Sequence, residues 1–177
     1  TKASTQLTDV ASGGGELGQN AAFHLGDCYL KLGDKQKALR AFVLASASDY
    51  SLEIKREAML NAGKLQYELG GGAFNEAITT LAGYVQAYPD SPRIDEAREL
   101  LLAAYFNSRN YEAAYEAIKQ VRDPDNNVKA AMQKIAYFRA LEQFQKEEYP
   151  EALRMFDVAD ANRFNAKYSA LTKFWRA

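Results

Sequence analysis

Gly26-Asp-Cys-Tyr-Leu-Lys-Leu-Gly-Asp-Lys-Gln-Lys-Ala-Leu-Arg-Ala-Phe-Val-Leu-Ala45 is the stretch that decides the fold. Its apolar residues fall at three- and four-residue steps on both sides of Gly33-Asp34, the spacing of one face of a helix. Gly33 stands where a helix stops and Asp34 where the next is capped. The stretch therefore reads as the end of one helix, a tight turn and a second helix returning along the first. Small residues (Gly26, Ala38, Ala45) sit where two backbones approach, and Leu25, Tyr29 and Phe42 fill the space between.

The layout recurs. Ala38, Ala77, Ala114 and Ala152 lie 39, 37 and 38 residues apart. Four residues after each comes a large apolar side chain: Phe42, Leu81, Ile118 and Phe156. Three further on come Ala45, Tyr84, Val121 and Ala159. In the first helices Gly26, Gly63, Leu102 and Ala140 hold the equivalent place. A glycine inside a helix costs about 1 kcal/mol relative to alanine, so Gly26 and Gly63 imply close helix–helix approach. Two helices per repeat at this period is the sequence sign of an α-solenoid.

Helices are expected at about 16–32, 34–48, 52–69, 73–88, 91–108, 111–121, 128–146 and 150–161, with a ninth from about 165. Ser51 and Ser91 read as N-caps, with Pro92 at the first helical position. All four prolines (89, 92, 124, 150) fall at breaks, as the missing N–H requires. No stretch alternates with period two, so the fold is expected to be all-α. It is an α-α superhelix of about four hairpins, with units at 19–50, 52–90, 92–122 and 128–161 and a truncated fifth at 165–177. Residues 1–15, ending in Gly13-Gly14-Gly15, read as a linker or a frayed edge.

Leu25-Gly26-x-x-Tyr29, Gly33, Ala38, Phe42 and Ala45 resemble the signature of the tetratricopeptide repeat. The later units depart from it, with Gln66 and Gln143 in place of the tyrosine and Tyr84 in place of a small residue. The longer period and the segment Tyr88-Pro89-Asp90-Ser91-Pro92 are similar to repeat proteins of bacterial outer-membrane assembly and Tol-Pal-associated systems. The superfamily resemblance implies a non-catalytic scaffold that binds a protein or peptide in a concave groove. The subgroup resemblance implies a periplasmic, outer-membrane-associated setting.

Superposing the units places Leu30, Tyr67, Phe106 and Phe144 at one first-helix position. Phe23, Leu60 and Tyr137 share another, with Phe138 beside it. With Asp27 and Lys64 these residues are the candidate partner-binding set, since aromatic anchors dominate such interfaces. The competing reading makes the aromatic stripe inter-repeat core. The polar residues on the same face do not reproduce the Lys/Asn clamp with which chaperone-binding members of the superfamily hold a carboxylate.

Other chemistries find little support. A net charge of −1 supplies no long-range attraction for nucleic acid or an anionic membrane. The longest apolar runs fall far short of a membrane span. Cys28 and His24 are the single cysteine and histidine, so neither a disulfide nor a chelating histidine pair is available within the chain. Gly13-x-Gly15-x-x-Gly18 matches the dinucleotide fingerprint by letter, but lacks the preceding strand that gives the fingerprint its mechanism. No nucleophile–base set is legible, and neither an enzyme nor a cofactor or metal site is expected. Leu171, Phe174 and Trp175 leave the last helix with apolar surface. This suggests a fragment of a longer repeat protein, or alternatively a structural spacer that self-associates through that helix.

Overall fold

The computed structural model describes residues 10–11, 13–70, 73–119 and 126–177, and these are all-helical, without a strand. The helices are α1 (Gly15–Lys31), α2 (Lys35–Ser46), α3 (Leu52–Leu69), α4 (Ala73–Ala87), α5 (Ile94–Asn107), α6 (Tyr111–Lys119), α7 (Asn126–Gln145), α8 (Tyr149–Ala161) and α9 (Ala166–Arg176). The architecture is an α-α solenoid. Two compact units divide the chain, Thr1–Ala104 and Tyr105–Ala177.

In the first unit α1 packs on α2, α2 on α3 and α3 on α4, and α1 also touches α3. In the second, α6 packs on α7, α7 on α8 and α8 on α9, and α7 also touches α9. Neighbour-to-neighbour packing of this kind separates stacked hairpins from a closed bundle.

The repeat alanines are where the hairpins close. Ala38, Ala77, Ala114 and Ala152 are 0%, 0%, 0% and 2% exposed, and Phe42, Leu81, Ile118 and Phe156 are buried beside them. A Cβ at Gly26 would lie 2.7 Å from the Phe42 ring, and one at Gly63 would lie 2.7 Å from Leu81 Cδ2. The helix-interior glycines are the room these large side chains occupy. Tyr84 is also fully buried. Its hydroxyl pairs with Ser91 Oγ at 2.7 Å, so the tyrosine that replaces a small residue has a partner for its polar end.

The turns after the first helices share a residue of positive φ at one position. Gly33 and Gly70 have φ of 76° and 66°, and seven residues beyond Leu102 and Ala140 stand Arg109 (φ 57°) and Glu147 (φ 63°). In three of them the following N–H reaches back five residues: Asp34 to Tyr29 O, Asn110 to Tyr105 O and Glu148 to Gln143 O. Two units thus place a non-glycine residue in the left-handed region.

Buried glutamines join hairpins. Gln19, 2% exposed, accepts the Ser51 N–H at 2.7 Å. Its amide nitrogen donates to Ser48 O at 2.7 Å and Ala45 O at 3.1 Å. Gln133, 0% exposed, accepts the Asn165 N–H at 2.7 Å and donates to Ser169 Oγ at 3.0 Å. Gln19 and Gln133 each lie seven residues before the close-approach position of their helix. Each holds the residue whose side chain caps the first helix of the next hairpin.

Three expectations shift in detail. α5 starts at Ile94, two residues after Pro92, because Ser91 forms a turn instead of a helix cap. Its carbonyl accepts the Ile94 N–H and its hydroxyl accepts the Arg93 N–H. α7 begins at Asn126, ahead of Val128. Within 1–15, Val10 and Ala11 are helical and Ala11 is buried with Ala21, Ala22 and Ala38. Residues 1–9 and 12, Gly71, Gly72, and the expected end of the sixth helix at Val121 lie outside the described residues.

Candidate functional site

The sequence-derived set divides between the two units. In the first, Phe23 is half-buried and packs edge-on against Phe42 at 5.5 Å. Leu30 is 39% exposed, and Tyr67 is half-buried. Asp27 lies 3.7 Å from His24 Nδ1 across one helical turn, and both are exposed to solvent.

Lys64 belongs to an ion network. Its ammonium holds Glu96, which also takes Arg93 at 2.7 Å, and Arg93 reaches Glu57 at 2.7 Å. The network ties α3 to the start of α5. Burial raises the Glu96 carboxyl, but hydrogen bonds from Lys64 and Arg93 outweigh it and hold the group below its ordinary range. The lysines near the first turn are paired as a solvated face would be, Lys37 with Asp34 and Lys35 with Glu68.

In the second unit four elements bring aromatic rings together. Phe106 at the end of α5 lies 5.6 Å from Tyr111 at the start of α6 and 5.5 Å from Phe138 on α7. Tyr111 stacks on Phe138 at 5.4 Å with an 18° interplanar angle. Phe138 also meets Tyr168 of α9 at 6.0 Å. Phe106, Tyr111, Phe138 and Tyr168 are all half-buried, so one side of each ring faces neighbours and part of the other faces solvent. Burial raises the hydroxyls of Tyr111 and Tyr168. One helical turn before Phe138, the Lys134 ammonium lies 3.7 Å from the centre of the Phe106 ring.

Tyr137, 5% exposed, is buried against the strip, 5.4 Å from both Phe138 and Tyr168, and also packs toward Phe156 at 6.1 Å. Phe144 lies apart from the strip, 38% exposed, between Tyr149 at 5.4 Å and Trp175 at 5.2 Å. Sequence reasoning grouped Phe106 with Phe138, but it missed Tyr111, Tyr168 and Lys134. Tyr111 looks like a helix start and Tyr168 like part of an unfinished unit. Lys134 is one solvated lysine among many until its position over a ring is known.

Arg139 is the buried charge of this unit, 7% exposed. Its guanidinium pairs with Glu112 of α6, lies 3.9 Å from Glu151 of α8, and covers the Tyr115 ring at 5.0 Å. It ties three helices together, although its Nε and Nη1 are buried without a hydrogen-bond partner among the described residues. Among the described residues no cluster of His, Cys, Asp and Glu is placed to hold a metal ion. Among them also, no helix is long and apolar enough to cross a membrane.

Residues 20–42 and 57–91 match the sequence model of the tetratricopeptide repeat. The match covers these two segments of the first unit. The matched segments contain both close-approach glycines and the large side chains that fill them, Phe42 and Leu81. A crystal structure of MamA protein shares the fold at a TM-score of 0.50, with 22% identity over 82% of this chain and 73% of that one. A second crystal structure of MamA gives a TM-score of 0.47, with 22% identity over 78% and 74%. No curated protein sequence matches the chain. Tetratricopeptide repeats stack into extended surfaces and typically serve as protein-interaction scaffolds.

Proposed function

We propose that this chain is a non-catalytic scaffold that binds a protein or peptide segment, with Phe106, Tyr111, Phe138 and Tyr168 as the contact surface. One observation carries the reading: four half-buried rings from α5, α6, α7 and α9 form one contiguous cluster of edge-on and stacked contacts. Large, rigid side chains already ordered by one another lose little conformational entropy on binding. In this reading Phe23, Asp27, Leu30, Lys64, Tyr67 and Phe144 are not part of the contact surface. The bacterial envelope setting belongs to the same proposal, and fractionation of cells carrying the tagged protein tests it.

Selection of a displayed peptide library on residues 1–177 tests the scaffold role. Phe106→Ala and Phe138→Ser should each weaken the selected peptides at least about tenfold while far-UV circular dichroism stays unchanged. Selected peptides that bind both variants as tightly as the parent, or a selection that yields no binder, would remove the strip from the proposal.

A second reading, a spacer or assembly module, is favoured by α9. Phe174 stands nine residues after its N-cap Asn165, as Leu60 stands nine after Ser51, yet Phe174 is 73% exposed and Leu60 is 0%. We propose that a further helix covers Phe174, supplied by more repeats of a longer protein or by another copy. Sedimentation with and without Phe174→Ser separates the two sources: a dimer lost on substitution supports the copy, and a monomer in both forms supports the longer chain.

A further inference from the structure

We propose that the aromatic strip takes an acidic segment, in which a carboxylate lies within one or two residues of an apolar side chain. The inference rests on the scaffold reading and adds the charge of the partner. Lys134 and Arg109 flank the strip. The Lys134 ammonium lies over Phe106, and Arg109 stands two residues before Tyr111 in the turn that leads into α6. Among the described residues neither cation has a carboxylate partner, whereas the nearby acids are already matched. Glu142 pairs with Lys146 at 3.0 Å, and Glu112 and Glu116 converge on Arg139. The unmatched charge beside the rings is therefore positive, and its complement is a carboxylate.

The geometry gives a recognition step. A lysine held only by a ring face keeps its three N–H donors free for hydrogen bonding. An arriving carboxylate can draw the ammonium off Phe106 and accept from it, and the uncovered ring face then receives the apolar side chain next to that carboxylate. Charge and apolar contact are thereby coupled: a segment with one and lacking the other gains little.

Three synthetic peptides of one length and one apolar residue test this on the full chain: one with Glu at the flanking positions, one with Gln and one with Lys. Binding is followed by fluorescence anisotropy at low and moderate salt, and its place by chemical-shift changes at Phe106 and Phe138. The Glu peptide should bind about three- to tenfold more tightly than the Gln peptide, and the Lys peptide more weakly than either, with the difference shrinking as salt rises. Lys134→Met, which keeps an unbranched chain over the ring, should remove most of the Glu-over-Gln preference, and Lys134→Arg should retain it. Equal binding of Glu and Gln peptides at the strip, or a preference unchanged in Lys134→Met, overturns the acidic partner and leaves the scaffold reading standing. Absence of shift changes at the rings with every peptide overturns both.

Discussion

Gln133 on α7 accepts the N–H of Asn165 at 2.7 Å, and Asn165 caps α9 by accepting from Lys167 N. One fully buried amide thus fixes where the next hairpin begins. Gln19 does the same for Ser51 at the other end of the chain. A solenoid needs its successive hairpins set at a repeatable spacing, and hydrogen bonds supply direction that apolar packing lacks.

Gln133→Ala should destabilise the chain by about 2–3 kcal/mol, because it opens a cavity at a fully buried side chain and removes the hydrogen bond to the Asn165 N–H. Urea unfolding followed by circular dichroism measures it. Gln133→Glu should also destabilise, since a buried carboxylate loses the donor that now reaches Ser169. A change under about 0.5 kcal/mol for either would mean that the clamp contributes no net stability.

Gly26→Ala should cost about 1–3 kcal/mol, since the new Cβ meets the Phe42 ring at 2.7 Å. Phe42→Ala alone should cost about 3–5 kcal/mol. The combination of Gly26→Ala with Phe42→Leu should be less destabilised than the sum of the single changes, because the two atoms sets compete for one volume. Strict additivity in thermal unfolding would contradict the close-approach account.

Glu147→Gly should stabilise. Glu147 holds φ at 63°, a conformation that costs a side-chain-bearing residue roughly 1–2 kcal/mol, against roughly 0.5–1 kcal/mol for the added freedom of glycine when unfolded. The expected net gain is about 0.5–1 kcal/mol, read as a higher melting temperature. Arg109→Gly should behave alike, and Glu147→Val should lower stability.

The Glu96 network predicts acid sensitivity. The Glu96 carboxyl is held below its ordinary range in the fold, where hydrogen bonds from Lys64 and Arg93 outweigh burial. Its stabilisation is therefore complete above the ordinary glutamate range and is lost as pH falls through the lowered folded value. Glu96→Gln should lower stability near neutral pH and flatten the acid limb of a stability-against-pH curve. An acid limb of unchanged slope would place the sensitivity elsewhere, for example at Glu151, which Arg154 lowers.

Helix positions, the all-α class and the hairpin core were legible in the residues because local rules and packing agree there. Ala38, Phe42 and Ala45 recur at spacings that only a buried helix face explains, and Gly33 and Asp34 mark the turn by their own backbone preferences. Ser91 misled because a serine before a proline has the letters of a helix start. Its hydroxyl is instead committed to Tyr84 and Arg93 N. The Tyr84 hydroxyl reaches it from the preceding helix, a pairing that the letters around Ser91 do not reveal.

The candidate site was only half legible, for a related reason. Phe106 and Phe138 stand out as aromatics in any reading, but the difference between Tyr137 inside and Phe138 at the surface is a rotation of about 100° on α7. Degenerate repeats leave that rotation undetermined. The sequence by itself determined which residues form helices and which small residues let them touch, because both follow from backbone chemistry and side-chain volume over short distances. Only the tertiary structure decided that Gln133 reaches Asn165, that Lys134 lies over Phe106 and that Tyr111 joins Tyr168 through Phe138. Those contacts join side chains 27 to 32 residues apart, and long-range contacts depend on how whole helices are set.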